Sequence, residues 1–352
     1  MTPRDYDVIV VGASFAGLAV ARRLRGRVLL LDRNEVGSVQ TSACGTPLWV
    51  PQRLGVEDSV LQVHDRLTIR TPTRSVSYDL SAVPFCTFDY KIFCRGLLAQ
   101  SEARFLRTPV TGIEEGAVVT GEGRFRAPVV VDCSGWRRAL VKERGPEPDA
   151  RAHSFGLEAR TELDDEGLSF WLDRRLIPNG LGWVFPVGEG SLIGLGSYLG
   201  RPKLKPALDR FLRDCGAEAS SYHGTYFPNR LWRPISGRLF AVGDAAGQCL
   251  PLTAEGIRPA IYFGAECGRL IQRVLDGSLT LEAALDGYRR LVERYRAAYR
   301  VLEWAQWLAV HAPTRWLAVI SDLAARHPFL PRWWPRYGWF GRFDHDVVPA
   351  TQ

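Results

Sequence analysis

Short runs of valine, isoleucine and leucine recur along the chain and predict buried strands of a parallel sheet. They lie at Val8–Val11, Val28–Asp32, Val129–Asp132 and Arg238–Val242. A strand of a parallel sheet is covered on both faces, so its residues are apolar in succession rather than in alternation. The segment after the first run has a helical pattern, which completes a β-α-β start. We therefore predict a doubly wound α/β sheet.

The middle of the chain has a different pattern, in which short strands are separated by turn residues. From His153 to about Arg233 the segments SFGLEART, LSFWLD, GWVFPV and SLIGLGSYL are of this kind. Thr68–Leu80 alternates apolar and polar residues and is predicted as one antiparallel strand. These segments predict an antiparallel sheet that forms a second domain. The stretch RGPEPDAR, Arg144–Arg151, is the clearest linker.

Past Thr280 the pattern becomes helical. Apolar residues recur at spacings of three and four, which predicts one apolar stripe along a helix. From Pro328 the chain is crowded with Pro, Trp and Arg and has no clear period. This region could cap the active site, mediate dimerisation, rest on a membrane surface or pack against the first domain. The stripe comprises Leu281, Leu285, Tyr288, Val292, Tyr295, Tyr299 and Leu302.

Composition narrows the classes of partner and the compartment. The 352 residues carry a formal net charge of +7, mostly from arginine. This charge fits an anionic surface, a phosphate-bearing ligand or simply an arginine-rich codon usage, but no basic stretch resembles a nucleic-acid module. The seven cysteines are odd in number and include no C-x-x-C pair, which argues against a disulfide framework and a zinc site. We predict no metal, no nucleic-acid partner and a cytoplasmic protein, with peripheral membrane contact as a further option.

The turn after the first strand has the spacing of a phosphate-binding loop. Gly12, Ser14 and Gly17 occupy the three glycine positions of G-x-G-x-x-G. The helix that follows directs backbone N–H groups and a partial positive charge at a pyrophosphate. Asp32 lies twenty residues after Gly12, where an acidic side chain accepts hydrogen bonds from ribose hydroxyls. The turn therefore predicts a dinucleotide cofactor.

A second glycine turn follows about 230 residues later. Gly243 and Asp244 come directly after a buried strand, and Gly256 and Ile257 begin a long helix after Pro251. Asp244 could accept from ribityl or ribose hydroxyls. The helix N-terminus could face the pyrimidine edge of a flavin, where negative charge grows on reduction. Two such turns in this order predict one FAD held at both ends by a single chain.

Five segments carry a family resemblance: VVGASFAGLAVARRL with LLLDR, ACG at Ala43–Gly45, VVDCSGWRR at Val130–Arg138, GWVFP at Gly182–Pro186 and GDAAGQCLPLTAEGI at Gly243–Ile257. On them the chain resembles FAD-dependent oxidoreductases of the para-hydroxybenzoate hydroxylase fold, and most of all the geranylgeranyl reductase family. The resemblance covers about Tyr6 to Leu275. It implies a discontinuous Rossmann-like FAD-binding domain, an inserted antiparallel substrate sheet and a C-terminal helical region.

The expected domain bounds and cofactor contacts follow from these motifs and the resemblance. We expect the FAD-binding domain at 1–60, 91–150 and 237–280, the substrate domain at 61–90 and 151–236, and a C-terminal helical cap at 281–352. The expected cofactor contacts are Gly12, Ala13, Ser14, Ala16, Gly17, Asp32, Arg33, Cys44, Gly45, Val110, Gly135, Gly243, Asp244, Pro251, Gly256 and Ile257.

The catalytic residues are less evident. In the family, the cysteine-glycine pair that follows the second strand lies near the flavin ring. Cys44 is therefore the predicted catalytic residue, which would contact substrate or donate a proton. The alternative is a small buried apolar residue, the commoner role of a free cysteine. His64, His153 and His223 have no partner visible from the sequence, so we predict none of them as a base.

An aromatic strand is the predicted substrate-binding element. Trp183 and Phe185 share one face of it, because side chains two apart in a strand point the same way. Together with Pro186 and Trp49 they are predicted to wall an apolar channel over the flavin, although ordinary core packing would need the same residues. Val187 stands where the family carries a lysine. We therefore expect a neutral or carboxylated lipid-like substrate rather than a prenyl diphosphate.

Three functions are compatible with these residues. The first is an FAD-dependent reductase that saturates carbon–carbon double bonds of a hydrophobic, prenyl or lipid-like substrate. The second is a flavin-dependent monooxygenase, a hydroxylase or epoxidase, with a halogenase as a less favoured variant. The third is a non-redox flavin enzyme such as a cyclase. Because there is no second dinucleotide fingerprint, the reductant would be transiently bound NAD(P)H or a small electron-carrier protein. The oligomeric state stays open.

Overall fold

The computed structural model describes residues 6–141 and 152–313, together with Trp316 and Val319. The predicted linker at Arg144–Arg151 and the Trp-rich segment from Pro328 lie outside these residues. Contacts divide the described chain into two compact units. The first takes 6–39, 91–141 and 227–303, and the second takes 40–90, 152–226 and 304–313. The expected domain bounds given above stay a proposal beside this division.

The helices and strands are given in chain order. The helices are α1 (Phe15–Ala21), α2 (Trp49–Leu54), α3 (Tyr90–Ala99), α4 (Lys205–Asp214), α5 (Ile257–Leu275), α6 (Leu281–Glu293) and α7 (Arg296–His311). The strands are β1 (Val8–Val11), β2 (Val28–Asp32), β3 (Gly45–Pro47), β4 (Val60–His64), β5 (Arg66–Arg70), β6 (Ser75–Asp79), β7 (Phe85–Phe88), β8 (Arg104–Arg107), β9 (Val110–Glu114), β10 (Ala117–Thr120), β11 (Gly123–Phe125), β12 (Val129–Asp132), β13 (His153–Thr161), β14 (Leu168–Trp171), β15 (Gly180–Pro186), β16 (Ser191–Ser197), β17 (Ala219–Pro228), β18 (Ile235–Ser236) and β19 (Leu239–Ala241).

The first unit contains the predicted parallel sheet. Its six strands run in the order β18-β19-β12-β1-β2-β8. β1 is parallel to β12 and to β2, and only the short edge strand β18 pairs antiparallel with its neighbour. All four residues of β1 and all seven of α1 are buried, which is why both read as unbroken apolar runs. The predicted doubly wound α/β fold is confirmed.

The C-terminal stripe forms two helices rather than one. Thr280 caps α6, and its hydroxyl accepts a hydrogen bond from the Ala283 N–H at 3.2 Å. The helix ends before a turn at Arg294 and Tyr295, after which α7 begins. Tyr288, Val292 and Tyr299 of the stripe are buried as its spacing requires. The stripe predicted the buried face correctly, but its period is unchanged across one turn and could not show the break.

The second unit contains a seven-stranded sheet in the order β17-β13-β16-β15-β14-β5-β6. The stretch Thr68–Leu80 is not one strand, as its alternation predicted, but falls on the hairpin of β5 and β6. Thr71 and Arg74 close its loop, where the Thr71 N–H donates to the Arg74 carbonyl at 2.7 Å. The alternation of apolar and polar residues keeps the same phase before and after the short loop. The pattern alone therefore does not reveal that the chain reverses direction there.

The two faces of this sheet have different environments. One face packs on α4, where Val184, Ile193 and Phe211 are among the buried residues. The neighbouring residues on β15, Trp183 and Phe185, point to the opposite face and are only half-buried. A separate three-stranded sheet in the order β3-β7-β4 completes this unit. Of the helices that the structure describes, none has the length and apolar character to cross a bilayer.

A buried histidine joins the small sheet to the strand that carries Trp183. The Thr87 hydroxyl donates to the Pro186 carbonyl at 2.6 Å, so it accepts from His64 Nε2, 3.2 Å away. His64 therefore carries a proton on Nε2. Loss of solvation lowers the pKa of His64 to about 4.

This histidine should make stability depend on pH. In the unfolded chain His64 gains a proton near its ordinary pKa of about 6.5, whereas in the folded chain it resists protonation. The contribution of His64 to the free energy of unfolding should therefore be complete above pH 6.5 and should be lost as the pH falls toward 4, by a few kcal/mol at most. Urea unfolding between these values measures this. In His64→Gln, whose side chain does not titrate, the free energy of unfolding should change less with pH. An equal change with pH in both proteins would contradict the assignment.

Candidate active site

The first glycine turn is packed too closely to hold side chains. Gly12 has a φ of +104°, and a Cβ atom there would lie 2.1 Å from the Cys133 carbonyl oxygen. A Cβ atom at Gly17 would lie 1.8 Å from the Gly12 carbonyl oxygen. The turn therefore lies directly on the end of β12, and α1 lies directly on the turn. This is the close approach that the glycine spacing predicted.

Asp32 is tied to this turn. Its two carboxylate oxygens accept hydrogen bonds from the N–H groups of Ala13 and Asn34, each at 2.8 Å. Each oxygen has a second lone pair, so the carboxylate can still accept from a ribose hydroxyl. Arg33, the next residue, is exposed. The position of Asp32 at the end of β2 fits the predicted contact to a dinucleotide.

The second turn lies against the first helix. Gly243 has a φ of +68°, and a Cβ atom there would lie 2.8 Å from the Ala16 Cβ. On α5, a Cβ atom at Gly264 would lie 2.7 Å from the Ala16 carbonyl oxygen, and one at Gly268 would lie 2.7 Å from the Val20 carbonyl oxygen. Helices α1 and α5 therefore meet backbone to backbone. The two motifs, far apart in sequence, are neighbours in the first unit.

Buried tyrosines from the C-terminal helices hold the second turn. The Gln248 side-chain oxygen accepts from the Gly243 N–H at 2.7 Å, and its nitrogen lies 3.1 Å from the Tyr288 hydroxyl. That hydroxyl donates to the Ala241 carbonyl, and the Tyr299 hydroxyl donates to the Gln248 carbonyl at 2.6 Å. The sequence pattern placed these tyrosines only on an apolar stripe. Their burial was a usable signal, because a buried tyrosine hydroxyl needs a partner.

Asp244 is the residue that most clearly fits a cofactor hydroxyl. Loss of solvation raises the pKa of its carboxyl to about 7, and no hydrogen bond from another described residue reaches its oxygens. A desolvated carboxylate without donors is costly, and a ligand that brings hydroxyl donors removes that cost. Together with the glycine turns this indicates that the residues present fit FAD, which Asp244 and the backbone of both turns would hold.

The loop from Pro251 to Gly256 is strained and firmly held. Leu252 and Ala254 have φ values of +68° and +54°, a region that residues with side chains rarely adopt. Its end is fixed by the fully buried Arg258, whose Nη2 donates to Glu255 Oε2 at 2.7 Å. Ile257 begins α5 directly after this loop. Backbone strain of this kind often accompanies ligand sites.

Cys44 and Gly45 lie in the second unit. Cys44 is buried with a φ of +53°, and its thiol donates to the Ser42 carbonyl at 3.3 Å. Its own carbonyl accepts from the Phe88 N–H at 3.1 Å. A Cβ atom at Gly45 would lie 3.0 Å from the Phe185 ring. The cysteine-glycine pair therefore adjoins the predicted substrate strand. Its catalytic role stays a prediction.

The remaining predicted residues occupy varied environments. Trp49 starts α2 and is largely buried, with the Arg53 guanidinium 5.9 Å from its ring centre. Val110 is half-buried on β9, and Gly135 begins a 3-10 turn after β12. Phe185 meets Phe170 edge to face, with ring centres 5.4 Å apart. Among the described residues, no group of His, Cys, Asp or Glu side chains is arranged to hold a metal ion.

Comparison with known proteins identifies the family. No protein-family model matches the chain. The digeranylgeranylglycerophospholipid reductase of Methanocaldococcus jannaschii is 30% identical over 322 residues, which cover 81% of this chain and 81% of that protein. The digeranylgeranylglycerophospholipid reductase 2 of Methanothermobacter thermautotrophicus is 27% identical over 332 residues, with coverage of 84% and 83%. This chain belongs to the geranylgeranyl reductase family. It is an FAD-dependent oxidoreductase.

Solved structures agree on the fold of this geranylgeranyl reductase homologue. A geranylgeranyl bacteriochlorophyll reductase-like protein from Thermoplasma acidophilum aligns with a TM-score of 0.81 at 21% identity, covering 92% of each chain. PqsL of Pseudomonas aeruginosa, described as a probable FAD-dependent monooxygenase, aligns with a TM-score of 0.68 at 19% identity, covering 91% of this chain and all of that one. Reductases and monooxygenases share this fold, so the fold alone does not separate them.

The Asp244 carboxyl predicts how FAD affinity depends on pH. Hydroxyl donors favour the ionised carboxylate, so the cofactor lowers a pKa that is about 7 without it. The dissociation constant of FAD should therefore rise as the pH falls below 7, by up to about tenfold per pH unit. Titration of the apoprotein with FAD from pH 5 to 8 measures this. Asp244→Asn keeps an acceptor but cannot titrate, so its affinity should vary less. Parallel curves for both proteins would contradict the assignment.

Proposed function

We propose that this enzyme reduces carbon–carbon double bonds of a long isoprenoid lipid. The two archaeal relatives described above are named for the reduction of a digeranylgeranyl lipid. The observation that carries the proposal is the half-buried aromatic face of β15. Trp183 and Phe185 point away from the α4 core, and both keep part of their surface exposed on the opposite face, where a ligand could contact them. An apolar chain laid on this face would gain about 25 cal/mol per Å² of surface withdrawn from water.

The end of the substrate strand favours a particular headgroup. Val187, which follows Pro186, is buried and apolar. It supplies no positive charge where the family has a lysine. A diphosphate would have to give up its hydration without a cation in return. We therefore propose a substrate with a neutral or carboxylated headgroup.

The chemistry divides between cofactor and protein. When bound, reduced FAD would supply the hydride for one carbon of the double bond, and the other carbon would take a proton from the protein or from water. Both glycine turns and Asp244 would hold the cofactor, and the aromatic face would orient the lipid. NAD(P)H or a small electron-carrier protein is the proposed reductant. Cys44 is the proposed proton donor, because it is buried and the next residue, Gly45, lies against the Phe185 ring.

Exposed tryptophans on α7 and shortly after it suit a protein that collects its substrate from a lipid surface. Trp304 and Trp307 are 63% and 56% exposed, and Trp316 is 55% exposed. Tryptophan favours the boundary between water and lipid, because its ring is apolar and its N–H is polar. We propose peripheral membrane contact by this helix of a cytoplasmic enzyme.

Product analysis tests this function directly. Purified holoenzyme, reduced with dithionite without oxygen, should add two hydrogens per double bond to geranylgeraniol or geranylgeranic acid. Geranylgeranyl diphosphate should react less well. Mass spectrometry measures both. An oxygenated product formed only in air would instead assign the enzyme as a monooxygenase.

The aromatic face predicts a specific kinetic defect. Trp183→Ala should raise the KM for geranylgeraniol about tenfold or more, because a buried aromatic contact is worth about 1.5–3 kcal/mol. Steady-state kinetics without oxygen measures this, and FAD content should not change. Tyr222→Ala is a matched control, since Tyr222 lies on the same sheet but faces α4, with Lys205 4.3 Å from its ring centre. An unchanged KM in Trp183→Ala would contradict the assignment of this face.

A further inference from the structure

The Trp183 indole lies flat on the neighbouring strand. A Cβ atom at Gly194 would lie 2.2 Å from the indole, and one at Gly196 would lie 3.4 Å from it. The indole therefore occupies the space that a side chain on β16 would take. Trp183 therefore forms part of the floor of this sheet face.

A buried carboxylate receives the indole N–H. Gly194 is opposite Trp183 on one side and opposite Glu158 on the other, so the three residues form a row across three strands. The Trp183 Nε1–H crosses above Gly194 and donates to Glu158 Oε2 at 2.6 Å. The Glu158 side chain is only 3% exposed. Such a hydrogen bond to an ionised acceptor is short and directional, and so it fixes both the position and the plane of the ring.

A histidine at the sheet edge completes the row. His223 lies on β17, the strand beyond β13 at the edge of the sheet, and is 26% exposed. Its Nε2 lies 2.9 Å from Glu158 Oε1. Arg160, two residues along the same strand face, donates instead to the Glu189 carbonyl. Trp183 and His223 therefore contact one oxygen each of the same buried carboxylate.

The chemistry of this row exceeds what packing requires. A carboxylate withdrawn from water is destabilising unless it is paired and hydrogen-bonded, and an apolar residue of similar volume avoids that penalty. The benefit of the Glu158 carboxylate is that its hydrogen bond orients the Trp183 ring. It holds a large ring down on a glycine strip that offers no side chain to hold it.

We propose that Glu158 and His223 are positioning residues that clamp the Trp183 indole flat, so that the face above it stays open to a long apolar chain. The structural part of this proposal is independent of the reaction, and its effect on substrate binding rests on the proposed function. When the acceptor is lost, the ring is free to rotate away from Gly194 and to obstruct the face. A long chain, which must cross this point, should then bind more weakly than a short one.

The position of the ring can be measured without any substrate. The FAD-bound protein is labelled with 5-fluorotryptophan, and the Trp183 resonance is assigned from its loss in Trp183→Phe. In the ¹⁹F spectrum, Glu158→Leu should shift or broaden this resonance, whereas Glu158→Gln, which keeps an acceptor, should leave it close to the wild-type position. Glu162→Leu is the matched control, because Glu162 is an exposed residue just beyond β13. An unchanged Trp183 resonance in Glu158→Leu would overturn the clamp.

Kinetics tests the consequence for binding. Glu158→Leu should raise the KM for a twenty-carbon prenyl alcohol about tenfold, and the KM for a ten-carbon one by much less, with kcat nearly unchanged. Glu158→Gln should restore most of the affinity. If Glu158→Leu does not fold, His223→Phe provides the same comparison with a smaller effect. Equal KM changes for both chain lengths, or no rescue by glutamine, would overturn the positioning role. A wild-type protein that reduces neither alcohol would contradict the proposed function, while the ¹⁹F result would still test the clamp.

Discussion

The close packing of α1 on α5 is the constraint on which the cofactor site depends. The first turn leads directly into α1, and Gly243 of the second turn lies against Ala16 of the same helix, so an outward shift of α1 would separate the two turns. The contact is backbone to backbone, with Gly264 and Gly268 facing the carbonyls of Ala16 and Val20. Added volume at such a contact cannot be absorbed by side-chain rotation. We therefore expect the glycines in the middle of α5 to matter for FAD binding as well as those in the turns.

Both units use buried polar side chains to position a group at a candidate site. In the first, buried tyrosines of α6 and α7 satisfy the polar groups of the second turn and leave Asp244 for a ligand. In the second, a buried acid and a glycine strip hold an aromatic ring on a sheet face. In both units, buried polar groups that lower the stability of the fold are present where they fix the position of a neighbouring group. Such local conflicts with ideal packing are expected at functional sites.

Much of the fold was predictable, because it rests on local patterns. The run at Val8–Val11 is apolar throughout because the strand is covered on both faces, and the glycine spacing predicted close approaches that the structure confirms. Contacts set by strand order were not predictable. Glu158, Trp183 and His223 are far apart in sequence and meet only through the order β17-β13-β16-β15. The same holds for His64, which reaches Thr87 only because β4 and β7 pair in the small sheet.

The most direct test of the account is the FAD content of two matched glycine-to-alanine variants. A Cβ atom at Gly264 would lie 2.7 Å from a backbone oxygen of α1, whereas one at Gly287 on α6 would meet its nearest atom at an ordinary 3.7 Å. FAD released per chain by denaturation measures occupancy. Gly287→Ala should retain one FAD per chain, and Gly264→Ala should lose most of it. A Gly264→Ala protein with full occupancy and wild-type affinity would contradict the dependence of the cofactor site on this helix contact.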